Sequence, residues 1–247
     1  VSGALAIILA RAGSKGVPGK NTALIAGRPC IAWTIDHAKS ASRVARVVVS
    51  SDDAEAQRIA RESGCEVVIR PAELANDTAR IDDAARHAVI AAEAGRAAGG
   101  DPPGAIVILY ANVPVRPPSL IDNAVALLAE TGADSVQSYQ QVGKNHPWWT
   151  ARVDEAGSVR PWEGQVLNHG VFRRQDLPPA FIPDGAVIAV TRQSLFLEVP
   201  GVAPGPHAFF GSNRRGVVTP AGSVVDIDSP IDLLVADAML RAQQCAA

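Results

Sequence analysis

Apolar residues fall into short unbroken runs, separated by stretches where they recur every three or four positions. The runs ALAIILA (4–10), RVVVSSDD (46–53), CEVVIRP (65–71) and GAIVILY (104–110) read as strands. Their near-continuous Val, Ile, Leu and Ala content predicts burial on both faces. Helical spacing over 29–41 puts Ile31, Ile35 and Ala38 on one face, with Pro29 suited to a first turn. Further helices are predicted at 53–64, closed by Gly64, at 82–99, and at 119–132, with Ser119 as cap and Gly132 as stop. Strand and helix thus alternate four times, which predicts an α/β protein with a mostly parallel sheet. Right-handed crossovers make it a Rossmann-like three-layer sandwich. Ligands of such sheets sit outside the carboxyl ends of the strands.

The pattern breaks after ADSVQSYQQV (133–142). Residues 143–183 are rich in Pro, Trp, Arg, His and Asn with weak periodicity, and read as an inserted arm. Regularity returns with the strand candidates GAVIAV (185–190), GVVTP (216–220) and SVVDID (223–228). A last helix spans 229–243, with Ser229 as cap and Pro230 in its first turn. The expected organisation is a single domain over 1–247, carrying its arm at about 143–183.

Composition narrows the partners. With 47% apolar and 19% charged residues among 247, the chain can build a core. A formal charge of −2 gives no global electrostatic case for nucleic acid or an anionic membrane, so neither is expected as a partner. The run 4–10 is too short to span a bilayer. Cys30, Cys65 and Cys245 are far apart and lack metal-ligand spacing, which points to a reducing cytoplasm rather than a disulfide framework.

Any anion site must therefore come from local clustering. The stretch ILARAGSKGVPGKN (8–21) runs from the first strand into a loop with three glycines and three basic side chains. Such a loop aims backbone N–H groups at an anion. A Walker loop ending in Gly19-Lys20 needs a glycine at position 14 and a hydroxyl at 21, where Ser14 and Asn21 stand. The dinucleotide pattern fails at Ser14 as well. What remains is Arg11, Ser14, Lys15, Lys20 and Asn21 as a cradle for a triphosphate, with a solvated basic turn as the plain alternative. Asp226 and Asp228, two apart on a strand, would face one side and suit Mg²⁺; capping of the next helix is the alternative. The arm concentrates Lys144, Asn168, Arg174 and Gln175, cations and amides fit for a carboxylated sugar. Trp148 and Trp149 read equally as a subunit contact.

In order along the chain, LARAGSKGVPGKN, VVSSDD, RPAELANDTA, PVR, RRQDLPPAFIPDGAVIAV and VVDIDSPIDL resemble the motifs of the sugar-acid cytidylyltransferases, which include CMP-sialic acid synthetases and, more distantly, CMP-KDO synthetases. The resemblance implies transfer of CMP from CTP to an acidic, N-acylneuraminate-like 2-keto sugar acid with release of pyrophosphate. It implies Mg²⁺ on Asp226 and Asp228, and a homodimer whose arm reaches the partner's site. Arg11, Lys20 and Asp228 take catalytic roles, and Arg70, Asp77, Thr78 and Tyr110 join the nucleotide site. Arg116, Lys144, Asn168, Arg174 and Gln175 go to the acceptor. Three features depart from the pattern: Tyr110 in place of Gln, Asn112-Val113-Pro114 in place of Thr-Ser-Pro, and Trp148-Trp149 in place of a lysine after His146-Pro147. A KDO-like, legionaminic-like or phosphonate acceptor therefore stays open, as does a nucleotide-binding module without turnover. A glycosyltransferase fits less well, because a donor diphosphate needs no such basic cradle.

Overall fold

All seven residues of Ala4–Ala10 (β1) are buried. The reason is the strand's central place in a seven-stranded sheet, in the computed structural model that describes residues 3–95 and 103–246. The other strands are Val44–Ser51 (β2), Glu66–Ile69 (β3), Ile106–Tyr110 (β4), Ser135–Gln141 (β5), Phe181–Val190 (β6) and Arg214–Thr219 (β7). Their order is β7-β5-β6-β4-β1-β2-β3. Only β6 runs against the rest, with Ala189 opposite both Val107 and Val136. Ile7 sits between Val48 and Ile108 in parallel register. This is the mostly parallel mixed sheet that the pattern predicts.

Helices Cys30–Ser40 (α1), Ala54–Glu62 (α2), Ile81–Ala94 (α3), Leu120–Thr131 (α4) and Pro230–Ala246 (α5) surround it. Period-two alternation divides β1 between two cores. Ala6, Ile8 and Ala10 pack with Ile31 and Ile35 of α1, Ile59 of α2 and Ile121 of α4. Leu5, Ile7 and Leu9 pack with Ala84, Ala88 and Val89 of α3 and with Phe209. A third cluster joins Val17 of the glycine loop to Val115, Ile227 and to Ala236 and Leu240 of α5. It fastens the loop to the last helix. Among the described residues, no helix is long and apolar enough to cross a membrane.

Several boundaries differ from expectation, each for a local reason. Ser119 has a left-handed φ of 60° and makes no capping bond, so α4 starts at Leu120; Gly132 does stop it, at φ 59°. The helix predicted at 82–99 is capped at Gly95, whose N–H reaches Ala91 O, and its predicted end at 96–99 lies outside the described residues. Residues 223–228 form no strand; they make only a bridge between Val225 and Val115. Strand β6 begins earlier than 185 and carries an irregularity between Pro183 and Ile188. Buried Asp184 holds that irregularity, accepting from Ser138 Oγ, from Ala186 N at 3.0 Å and from Thr219 Oγ1 at 2.7 Å.

The arm between β5 and β6 contains a short hairpin, Ala151–Val153 with Val159–Pro161, and three single turns. It is largely exposed, with Trp162 and Phe172 at 58% and 83%. His146 anchors it: Nε2 donates to Pro178 O at 3.0 Å, and Nδ1 accepts from Trp148 N at 3.1 Å.

Candidate active site

The chain leaves β1 at Arg11 and turns back at Gly19, whose φ of 67° a side chain would strain. Ala12 N donates to Asp52 Oδ1 at 2.9 Å, tying the loop to the end of β2. At Gly16 a Cβ would lie 2.3 Å from Asp228 O, so only glycine lets the loop pass the 226–229 segment. Lys20 Nζ donates to Ile227 O at 2.6 Å and to Asp228 Oδ1 at 2.8 Å. The predicted cradle and the predicted acidic pair are thus in contact.

A cavity of ≈230 Å³ opens beyond the carboxyl ends of β1 and β4, lined in part by Arg11, Ser14, Lys20, Asn21, Arg70 and Tyr110. Asn21 is 5% exposed; its Nδ2 donates to Arg11 O at 2.8 Å, while its Oδ1 has no partner. A buried acceptor without a donor is costly, and it suits a ligand hydroxyl or amino group. Arg70 is also buried, with Nε and Nη2 on Ser50 at 3.2 and 2.7 Å, and burial pushes its pKa down to about 10. Asp77 faces the loop across the cavity. Its carboxylate receives Arg11 Nη1 at 2.9 Å and Lys15 Nζ at 2.7 Å, and hydrogen bonds from Lys15, then from Arg11, hold its pKa below the usual carboxylate range. Thr78 has a different role from the one expected. Its N–H and hydroxyl both donate to Asn76 Oδ1, at 2.9 and 2.8 Å, so it shapes the turn.

Asp226 and Asp228 lie on an irregular segment rather than a strand, yet they are close. Burial first, then the Asp228 charge, raises the Asp226 pKa to about 6. Asn112 donates Nδ2 to Asp226 Oδ1 and, at 3.1 Å, to Ile227 O. A Cβ at Gly185 would sit 2.7 Å from Asp226 Oδ2, so the β6 irregularity brings bare backbone against this carboxylate. Asp228 N and Ser229 N both donate to Asp232 Oδ2, at 3.1 and 2.7 Å, which caps α5 and leaves the Asp228 side chain free of capping duty. These two neighbouring carboxylates, bonded to Lys20 and Asn112 of the cavity lining, fit Mg²⁺, which takes one or two protein oxygens and fills the rest with water and phosphate. Among the described residues no cluster of three His, Cys, Asp or Glu forms a fuller cage.

Of the expected acceptor residues, none is brought to this cavity. Arg116 is a correction: it is 4% exposed and its guanidinium is spent on the backbone. It donates to Ala186 O at 2.8 Å, Tyr110 O at 2.9 Å, Thr34 Oγ1 at 2.9 Å and Val113 O. Lys144 and Asn168 are exposed on the arm. Arg174 and Gln175 line a separate cavity of ≈430 Å³ with Gln141 and Ala221. A further cavity of ≈280 Å³ shares Tyr110 and Ile81 with the first, and is lined by Gln137, Tyr139, Phe210, Arg214 and others. Neither it nor Asn112 was singled out as a site from sequence. Asn112 lies two residues past Tyr110, but its partner Asp226 is more than a hundred residues away in sequence.

Together the fold and this loop define an α/β protein of the open-sheet class, with a basic cavity at the carboxyl ends of its strands. Comparison with known proteins makes this specific. The family model described as cytidylyltransferase matches residues 5–152, and the chain belongs to that family. It is 30% identical, over 93% of its length, to an N-acylneuraminate cytidylyltransferase of Streptococcus agalactiae serotype V, and spans only 51% of that relative. It is 29% identical to a CMP-N,N'-diacetyllegionaminic acid synthase of Legionella pneumophila, with 97% of both chains covered. In fold it is similar to a CMP:2-keto-3-deoxy-manno-octonic acid synthetase complexed with CTP, with a TM-score of 0.68, 18% identity and coverage of 98% of this chain and 100% of the other.

Proposed function

We propose that the protein transfers CMP from CTP to an acidic 2-keto sugar acid, releasing pyrophosphate. One observation carries the reading. Arg11, Lys20, Asn21 and Arg70 converge on one cavity at the carboxyl ends of β1 and β4, beside the Asp226–Asp228 pair. The names of the relatives fit it, since they include cytidylyltransferases for N-acylneuraminate and a synthase of a CMP-linked legionaminic acid. Arg11, Lys15 and Lys20 hold phosphate oxygens, Arg70 and Asn21 face the nucleoside, and Ser14 and Tyr110 complete the walls. An acceptor hydroxyl forms a bond to the α-phosphorus, the bond to the β-phosphate oxygen breaks, and the hydroxyl proton passes to solvent or a carboxylate. Catalysis of this kind is mainly positioning and neutralisation of charge. Mg²⁺, held by Asp226 and Asp228, supplies positive charge to the phosphates when bound.

The assembly we favour is a homodimer joined through the arm, because Trp162 and Phe172 stand exposed there. Cys30, Cys65 and Cys245 are all free thiols, which fits a cytoplasmic setting. Pyrophosphate release from magnesium-CTP, with and without a panel of sugar acids, tests the function. Release that requires an acid supports it. CTP binding with no release under any acid overturns it in favour of a nucleotide-binding module.

A further inference from the structure

We propose that Arg214 binds the acceptor's carboxylate and sets the preference for an acid; this rests on the transferase reading above. The argument begins with the second cavity. It meets the nucleotide cavity at Tyr110 and Ile81, so a molecule held there lies next to a nucleotide held in the first. It opens on the face of the sheet that α3 and Phe209 cover further along. Register decides which side chains reach it. Gln137 and Tyr139 of β5 line it, and Arg214 and Gly216 of β7 pair with Ser135 and Gln137 on the same face.

Arg214 is held at one edge and free at the other. Its Nε donates to Gly211 O at 3.0 Å, and its guanidinium carbon lies 5.6 Å from the centre of the Phe210 ring. Gly211 makes this possible: its φ is 68°, and a Cβ there would lie 2.3 Å from Asp134 Cβ. Among the described residues no carboxylate pairs with Arg214 within 4.0 Å, although Asp134 is near; Asp134 Oδ2 accepts from Ser212 N and Asn213 N, both at 2.8 Å. The cavity lining contains no acidic side chain. A planar fork whose terminal nitrogens have no partner among the described residues matches a carboxylate in a bidentate manner. The floor supplies the rest. Tyr139 donates its hydroxyl to Gln137 Oε1 at 3.2 Å, which leaves the Gln137 amide N–H groups for ligand hydroxyls. Phe210, Ile188 and Pro183 offer an apolar wall to a substituent.

The test compares acids with their methyl esters, using N-acetylneuraminate and 2-keto-3-deoxy-manno-octonate at saturating magnesium-CTP. The wild-type protein prefers the acid. In Arg214→Met, kcat/KM for the acid falls about tenfold to a hundredfold, the loss of one charge-assisted pair. The value for the ester stays within about twofold, as does KM for CTP, because no charge faces the ester and the nucleotide lies elsewhere. Arg214→Lys restores part of the acid preference. Far-ultraviolet circular dichroism and the thermal midpoint verify folding, and Gln137→Ala, which weakens acid and ester alike, is the second variant. An Arg214→Met enzyme that keeps the wild-type preference for acid over ester overturns the assignment while leaving the transferase intact. A wild-type protein that releases no pyrophosphate with any acid overturns the parent reading and this one together.

Discussion

At Asp226, burial and the neighbouring Asp228 charge keep the proton bound up to a pH of about 6. A metal held there, as proposed, must displace that proton. Affinity for magnesium-CTP is therefore expected to be level above pH 7 and to fall by up to about tenfold per unit below 6. Calorimetry from pH 5 to 8 checks this, and a flat profile removes Asp226 from the metal site. In the metal-free protein the sign is opposite. The folded state keeps a proton that the unfolded chain loses near 3.8, so this group's contribution is greatest below that value and is lost as pH rises to about 6. Lys20→Ala and Asp228→Ala are expected to cut turnover about a hundredfold or more while the unfolding midpoint barely moves. Near-normal turnover in both discards their roles. Arg116→Ala does the reverse: it leaves the Ala186 carbonyl without its donor and takes one donor each from the Tyr110 and Val113 carbonyls, and a loss of about 1 to 3 kcal/mol is expected by urea unfolding. From sequence, Arg116 is one more cation near a site. Only the packing of β6 against the loop reveals what consumes it.

Elements were legible where their signal is local. β1 announces itself by an unbroken apolar run, and α2 by its helical spacing up to Gly64, whose φ is 68°. The loop at 11–21 was legible for the same reason, since its cations and glycines are contiguous. The 223–228 segment misled because Val-Val-Asp-Ile-Asp alternates like a strand. Its N–H groups instead reach Val115 O and Asn112 O, in a loop more than a hundred residues earlier. The second cavity was illegible because β5, β6 and β7 each give it a few residues. The irregular part of β6 also borders Asp226, and that contact can be tested at Gly185, where φ is 76°. Gly185→Ala is expected to cost about 1 to 3 kcal/mol and to weaken magnesium-CTP binding. Unchanged calorimetric affinity would show that this strand does not shape the metal site.

For the molecule as a whole, the arm is the part least explained by packing within the chain. Trp162→Asp with Phe172→Asp is expected to convert a dimer to a monomer in light scattering, with circular dichroism unaltered. A dimer that survives both charges joins its subunits elsewhere. Asp77 has a different whole-molecule consequence. It already occupies Arg11 and Lys15, tying the 70–79 segment to the glycine loop before any nucleotide arrives. On the proposed function, an incoming triphosphate would displace this internal counterion rather than neutralise bare charge. Ion pairs would then be exchanged more than created, and affinity for magnesium-CTP is expected to vary gently with ionic strength, as calorimetry at two salt concentrations checks.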